Sequence, residues 1–200
     1  PYPLLMNLGG IRVAVPAHPA DAKGLLKSAI RGNDPVFFLE PGGRGGEMGD
    51  VPEDDVTVPF GVANHLSSGD DVTLVTMGSC VKMTVQAAKT LAAEGIAADV
   101  LDVRTLVPLD QVAILGSVAR TGRLIVVDES RDSCSAASQI AAIVADRGFA
   151  TLRAPIRRVT VPDTSMPYAP ASERPLLPSA ERIVDAARDL LRATTARRTQ

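Results

Sequence analysis

Apolar residues fall along this chain in two alternating rhythms, short continuous runs and longer stripes at three- and four-residue spacing, and their order predicts a layered α/β fold. Ile11 to Val15 is a β-branched run bounded by Gly9-Gly10 and Pro16, which predicts a buried strand. Pro19 and Asp21 open a helix with Ala22, Leu25, Leu26, Ala29 and Ile30 along one stripe, and Gly32 closes it. Pro35 to Glu40 reads as a second strand. A strand, helix and strand within about thirty residues make a βαβ unit, with parallel strands and a right-handed crossover.

A second series begins at Val58. Val72 to Met77 is an apolar strand interrupted only by threonine, and Ser79 is the expected N-cap of a helix bearing Val81, Val85, Ala88, Leu91 and Ala92, ended by Gly95. Ala98 to Val103 is the next strand; Asp110 caps a helix with Val112, Leu115, Val118 and Ala119 that stops at Gly122. Leu124 to Val127 has the composition of a strand buried on both faces. Ser133 or Ser135 caps a helix with Ile140, Ile143 and Val144 on one side, and Pro155 to Val161 is the last strand. An irregular proline-rich tract from Pro162 to Pro178 leads to Ser179, the cap of a final helix with Ile183, Val184, Ala187, Leu190 and Leu191 facing inward. The polar, basic tail from Ala193 to Gln200 is expected to fray.

Between the two series, Pro41 to Asp50 carries five glycines. A glycine-rich loop cradles phosphate when it joins a strand to a helix start, but Val51-Pro52-Glu53-Asp54-Asp55 follows here, so the segment reads as a linker. With 200 residues, 46% of them hydrophobic, the chain can bury a full core as one large domain or one domain plus part of another. A net charge of −2 gives no broad basic surface for nucleic acid or an anionic membrane. No run approaches the roughly 20 apolar residues that span a bilayer. Two separate cysteines, Cys80 and Cys134, suit a reducing compartment, and a cytoplasmic location is expected. The chain opens Pro1-Tyr2-Pro3 without an initiator methionine, which is compatible with a missing natural amino terminus, so absence of a leader carries no weight.

Candidate chemistry is sparse. His18 lies in a turn before a helix and His65 in a strand ending at an exposed turn, and structural roles are the expectation for both. Arg104 and Asp110 flank a loop at the carboxyl end of a strand, where α/β sheets place ligands, but organisation of packing is the favoured reading. Cys134 precedes a helix without a base beside it in sequence, so thiol catalysis is not expected.

Several segments, in order, carry a resemblance. They are Gly10-Ile11-Arg12-Val13-Ala14-Val15-Pro16 with Asp21-Ala22-Lys23-Gly24-Leu25-Leu26; Gly49-Asp50-Val51-Pro52-Glu53-Asp54-Asp55; Asp102-Val103-Arg104-Thr105-Leu106-Val107-Pro108-Leu109-Asp110 with Thr121-Gly122-Arg123-Leu124; and Ala154-Pro155-Ile156-Arg157-Arg158-Val159-Thr160 with Pro162-Asp163-Thr164. Leu177-Pro178-Ser179-Ala180-Glu181-Arg182-Ile183 fits as well. Together they resemble the beta subunit of the thiamine-diphosphate-dependent decarboxylating component of 2-oxo acid dehydrogenase complexes, a pattern common to pyruvate, branched-chain and acetoin types.

The resemblance implies a three-layer α/β/α transketolase C-terminal-like domain at 57–192, preceded at 1–56 by the last βαβ unit of a pyrimidine-binding domain plus linker, with a flexible tail at 193–200. It implies thiamine diphosphate and magnesium in the intact enzyme, bound mainly outside these residues. The family's cofactor-activating glutamate and its His-Ser-Gln-Ser motif have no counterpart here, so no catalytic or cofactor-binding residue is assigned. The segment Ala29-Ile30-Arg31-Gly32-Asn33-Asp34 matches the one whose backbone carbonyls hold a structural potassium ion, which makes Ala29, Gly32 and Asp34 candidate ligands; an ordinary glycine C-cap is the other reading. Implied partners are an alpha subunit, a second beta subunit and the lipoyl acyltransferase core. The family commonly has a Gly-Gly loop where this chain has Cys134-Ser135. Alternatives are a stand-alone assembly module built on the same fold, and a fragment of transketolase or deoxyxylulose phosphate synthase.

Overall fold

The computed structural model describes residues 2–40 and 48–198. Residues 41–47 of the predicted linker and the last two of the predicted tail lie outside the described residues. In chain order the elements are α1 (Tyr2–Met6), β1 (Arg12–Ala14), α2 (Pro19–Arg31), β2 (Val36–Phe38), β3 (Asn64–Ser67), β4 (Val72–Thr76), α3 (Cys80–Ala93), β5 (Ala98–Asp102), β6 (Thr105–Val107), α4 (Gln111–Thr121), β7 (Leu124–Arg131), α5 (Ala136–Arg147), β8 (Arg157–Val161), α6 (Pro170–Glu173) and α7 (Ala180–Arg198).

Five strands form the larger sheet in the order β3-β5-β4-β7-β8, with β3 antiparallel and the rest parallel. Alternation along each strand sends side chains to opposite faces, which is why β4, β5 and the first half of β7 are buried along their whole length. On one face Val75, Leu101, Leu124 and Val126 pack against Ile114 and Val118 of α4 and Ile140 and Val144 of α5. On the other, Leu74, Val100, Ile125 and Val127 meet Leu91 of α3 and Ile183, Ala187 and Leu190 of α7. Each fully buried Leu, Ile or Val contributes about 1.5–3 kcal/mol, so these two clusters hold the three layers together.

The predicted βαβ unit is present, with β1 and β2 parallel and α2 between them. Its third strand comes from an unexpected place. The segment read as the Arg104–Asp110 loop contains β6, which pairs antiparallel with β1 to complete a three-stranded sheet in the order β2-β1-β6. Three residues that pair with a strand some ninety positions away leave no periodic trace in their own neighbourhood.

Cap chemistry explains most helix ends. Asp110 accepts from the Ala113 N–H and Ser135 from the Ser138 N–H, while Gly122 closes α4 in the left-handed region at φ 70°. Ser79 occupies the N-cap position of α3, but its hydroxyl donates to Glu129 at the sheet's carboxyl end. The proline-rich tract is less irregular than expected, containing α6 and a turn of 3-10 helix at Arg174–Leu176. The final helix continues to Arg198, past the end of its apolar stripe.

Gly69 marks a close crossing of backbone. A Cβ there would lie 2.4 Å from the Ala97 carbonyl carbon and oxygen, which cannot rotate away. Gly69→Ala is therefore expected to cost about 1–3 kcal/mol by overpacking, read as a lower midpoint in urea denaturation; an unchanged midpoint would mean that the turn relaxes freely.

Candidate functional site

Polar side chains are buried in three places, and each follows from how a strand ends. The first is the junction of the two sheets. β5 delivers Asp102 at its carboxyl end, and two residues later Arg104 turns the chain with φ 55°, an unfavourable conformation for a residue with a Cβ. The turn points the guanidinium inward, where it reaches Asp21 on α2 at 2.7 Å and the Val62 carbonyl at 2.8 and 3.1 Å. The backbone of the same residue is also engaged: its N–H donates to Asp102 Oδ1 at 3.0 Å and its carbonyl accepts from the Val15 N–H at 2.8 Å.

The rest of this segment fastens the same joint. Thr105 accepts from the Gly61 N–H and donates to the Pro108 carbonyl, and the second carboxylate oxygen of Asp110 accepts from the Ala63 N–H. Arg104 and Asp110, singled out as flanking a strand-end loop, thus come together in a packing role. Burial is the main reason that the Asp102 carboxyl is pushed up to about 7; the Arg104 N–H bond opposes this, and the nearby Asp21 charge reinforces it. Neither Asp21 nor Asp102 was recognised from sequence as a buried acid. The available signal was an aspartate ending an apolar run two residues before an arginine.

The second cluster lies at the carboxyl end of β7. Asp128 is fully buried and accepts from the Ser130 N–H, the Ala137 N–H at the start of α5 and the Tyr2 hydroxyl. Burial first, then the Asp128 charge, drives the Tyr2 phenol well above its ordinary value, so it stays a donor. Cys134, exposed, adopts φ 51°, a left-handed backbone that favours glycine. Beside it, α1, β6, α4 and α5 line an open cleft of about 1010 Å³, whose walls include Leu4, Met6, Leu106, Leu109 and Ile143.

The third cluster lies at the opposite end of β5. Asp99 is fully buried; one oxygen takes Ser117 and Arg120, while Oδ1 has no hydrogen-bond partner among the described residues and stands 3.9 Å from His65 Nδ1. Thr73 links Ser117 to Thr121 through hydrogen bonds of 2.7 Å. His65 is thus a half-exposed neighbour of a buried acid, and His18 is the N-cap residue of α2 without a side-chain cap bond.

At the end of α2, the three candidate ion ligands are close in sequence but differently engaged. The Ala29 carbonyl accepts from the Gly32 N–H at 3.3 Å, Gly32 has an extended C-cap backbone, and the Asp34 carboxylate is held by Arg12 at 2.5 Å. No group of three or more His, Cys, Asp or Glu that could hold a metal ion occurs among the described residues. Magnesium requires converging oxygen ligands, so these residues by themselves do not fit a magnesium-diphosphate site.

Removing the Tyr2 hydroxyl leaves the buried Asp128 one donor short. Tyr2→Phe is expected to lower stability by about 1–3 kcal/mol without loss of the fold, measured by thermal denaturation with circular dichroism. Cys134→Gly should act in the other direction, relieving the left-handed backbone by about 1 kcal/mol.

Comparison with known proteins agrees with this architecture. The profile described as "Transketolase, C-terminal domain" matches residues 61–183. The beta subunit of acetoin:2,6-dichlorophenolindophenol oxidoreductase from Bacillus subtilis is 46% identical over 95% of the chain and 56% of its own length. The pyruvate dehydrogenase E1 component subunit beta and the 2-oxoisovalerate dehydrogenase subunit beta of the same organism are 42% and 40% identical, each over 94% of the chain and 58% of the relative. A solved structure titled "Split gene transketolase, inactive beta4 tetramer" superposes with a TM-score of 0.78 at 27% identity, over 94% of the chain and 60% of that structure. The chain spans a little more than half the length of the curated relatives it matches. It belongs to the transketolase C-terminal domain family, and its curated relatives are beta subunits of acetoin, branched-chain and pyruvate dehydrogenases.

Proposed function

We propose that the chain is part of the beta subunit of a thiamine-diphosphate-dependent 2-oxo acid dehydrogenase, one that decarboxylates its substrate and transfers the acyl group to a lipoyl arm. Its own contribution is assembly and structural support. The observation that carries this reading is the similarity, across nearly the whole chain, to the beta subunits of pyruvate dehydrogenase, 2-oxoisovalerate dehydrogenase and an acetoin oxidoreductase. The polar geometry is consistent with it, because Arg104, Asp110 and Asp128 are engaged in joining elements of the fold rather than left open to a ligand.

In this reading residues 1–56 are the end of a pyrimidine-binding domain with its linker and residues 57–192 a transketolase C-terminal-like domain. Thiamine diphosphate supplies the electron sink for decarboxylation and is held, with magnesium, mainly by other parts of the enzyme. The partners are an alpha subunit, a second beta subunit and the acyltransferase core, in a cytoplasmic complex. No helix among the described residues is long and apolar enough to cross a membrane, and both cysteines are free thiols.

Mixed with an alpha subunit, thiamine diphosphate and magnesium, the 200-residue chain should co-purify with the alpha subunit yet turn over none of pyruvate, branched-chain 2-oxo acids or acetoin. Measurable turnover would overturn the supporting role; failure to co-purify would overturn the subunit assignment.

We propose that the end of α2 contributes to a potassium shell, since the last carbonyls of a helix keep free lone pairs and the dipole is negative there. Ala29, Gly32 and Asp34 would supply part of that shell, with the remaining ligands from other residues of the enzyme. Exchanging potassium for sodium is then expected to lower the melting midpoint of the assembled enzyme, and equal midpoints in the two salts would remove this assignment.

A further inference from the structure

The junction between the two sheets combines features that a purely static clamp does not need. Two acids and one arginine are buried together there. Asp21 and Arg104 are each less than a tenth exposed, and Asp102 is 1% exposed. Arg104 forms its ion pair with Asp21, whereas the Asp102 carboxyl accepts the backbone N–H of Arg104. The cluster therefore holds one guanidinium for two carboxyl groups, and the one without the ion pair is the more deeply buried.

Among the described residues, the groups facing Asp102 from the neighbouring strands are neutral. On β3 and β4 the residues opposite Asp102 are Asn64 and Thr76, both neutral, and α3 contributes Thr84, whose hydroxyl donates to Thr76. The charged groups that act on Asp102 are Asp21 from α2 and Arg104 from the β5–β6 turn. Two bonds cross the joint at the turn that Asp102 holds through the Arg104 N–H: Val15 to the Arg104 carbonyl, and the Arg104 guanidinium to Asp21.

We infer that Asp21, Arg104 and Asp102 form a proton-operated latch between the small sheet and the large one, closed when Asp102 carries a proton and loosened when it is ionised. This inference rests on the junction alone and does not depend on the proposed enzyme activity. Opening of the joint separates α2 from the β5–β6 turn and admits water to Asp102, while β4 and β5 stay paired in the large sheet. The direction follows from linkage. Closed, Asp102 titrates near 7; open to water, it titrates near the ordinary carboxylate value of about 4. The closed form thus binds more protons between these values. Closure is strongest below about pH 4, weakens as pH rises toward 7 and levels off above it.

Hydrogen exchange with mass spectrometry on the full-length protein tests this, following peptides that contain Val15 and Arg104 and correcting for intrinsic exchange rates. Protection of those peptides should fall by up to about tenfold per pH unit between pH 5 and 7, then become flat, while core peptides of β4 and β7 stay constant. Asp102→Asn keeps the acceptor for the Arg104 N–H and removes the titration, so its protection should not vary across this range and should exceed wild type at pH 8. Parallel profiles in wild type and Asp102→Asn would overturn the latch. If Asp102→Asn does not fold, carboxyl carbon shifts of isotopically labelled aspartate in the wild-type protein decide the matter: a midpoint near 7 for Asp102 supports the latch, and one near 4 overturns it.

Discussion

The joint between the two sheets of this protein turns on one side chain, Arg104, beside the apolar core that the sheets share. A buried guanidinium is costly unless its donors are met, and here they reach Asp21 and the Val62 carbonyl. The same residue accepts a left-handed backbone so that its carbonyl can bind Val15 and its N–H can bind Asp102. Segments around Val15, Asp21 and Val62, all distant in sequence, meet at that residue, directly before β6 pairs with β1.

This arrangement explains a division of labour within the chain. The large sheet is stabilised by two continuous apolar clusters, with the buried aspartates of β5 and β7 set at their margins. The small sheet has few buried residues of its own: of β2 none is fully buried, and α2 leaves Leu26 and Ile30 exposed. Its β1 is the exception, with Val13 and the adjoining Val15 in the apolar cluster shared with β4, β5 and β7, so the small sheet is placed by that shared area together with the directional polar contacts at the β5–β6 turn.

Much of the large sheet could be read directly from the sequence, because β4, β5 and β7 are apolar runs and α3, α4, α5 and α7 carry clear stripes with Asp110, Ser135 and Gly122 at their ends. The long-range polar contacts leave no such local pattern. β6 is recognisable only through its pairing with β1, and α1 is a single short turn anchored by the Tyr2–Asp128 bond. Asp21 looked like an ordinary first-turn acid, and nothing local distinguishes it from a solvated one; its burial is decided by Arg104, 83 positions away. The candidate ion ligands of α2 were named through resemblance, since a helix end by itself has the same appearance with or without an ion.

The buried acids of β5 also bear on how the sheet finds its pairing. Asp99 meets Ser117 and Arg120 of α4, and Asp102, three residues on, points to the opposite face beside the Arg104 turn. A slip of one residue would drive both carboxylates to the wrong faces, and a slip of two would strand each of them among aliphatic side chains. Apolar runs such as Val72 to Thr76 are nearly self-similar under such shifts. The two aspartates therefore act as alignment marks that make one pairing of β5 far cheaper than its neighbours, a service to folding accuracy that their cost in stability would otherwise leave unexplained.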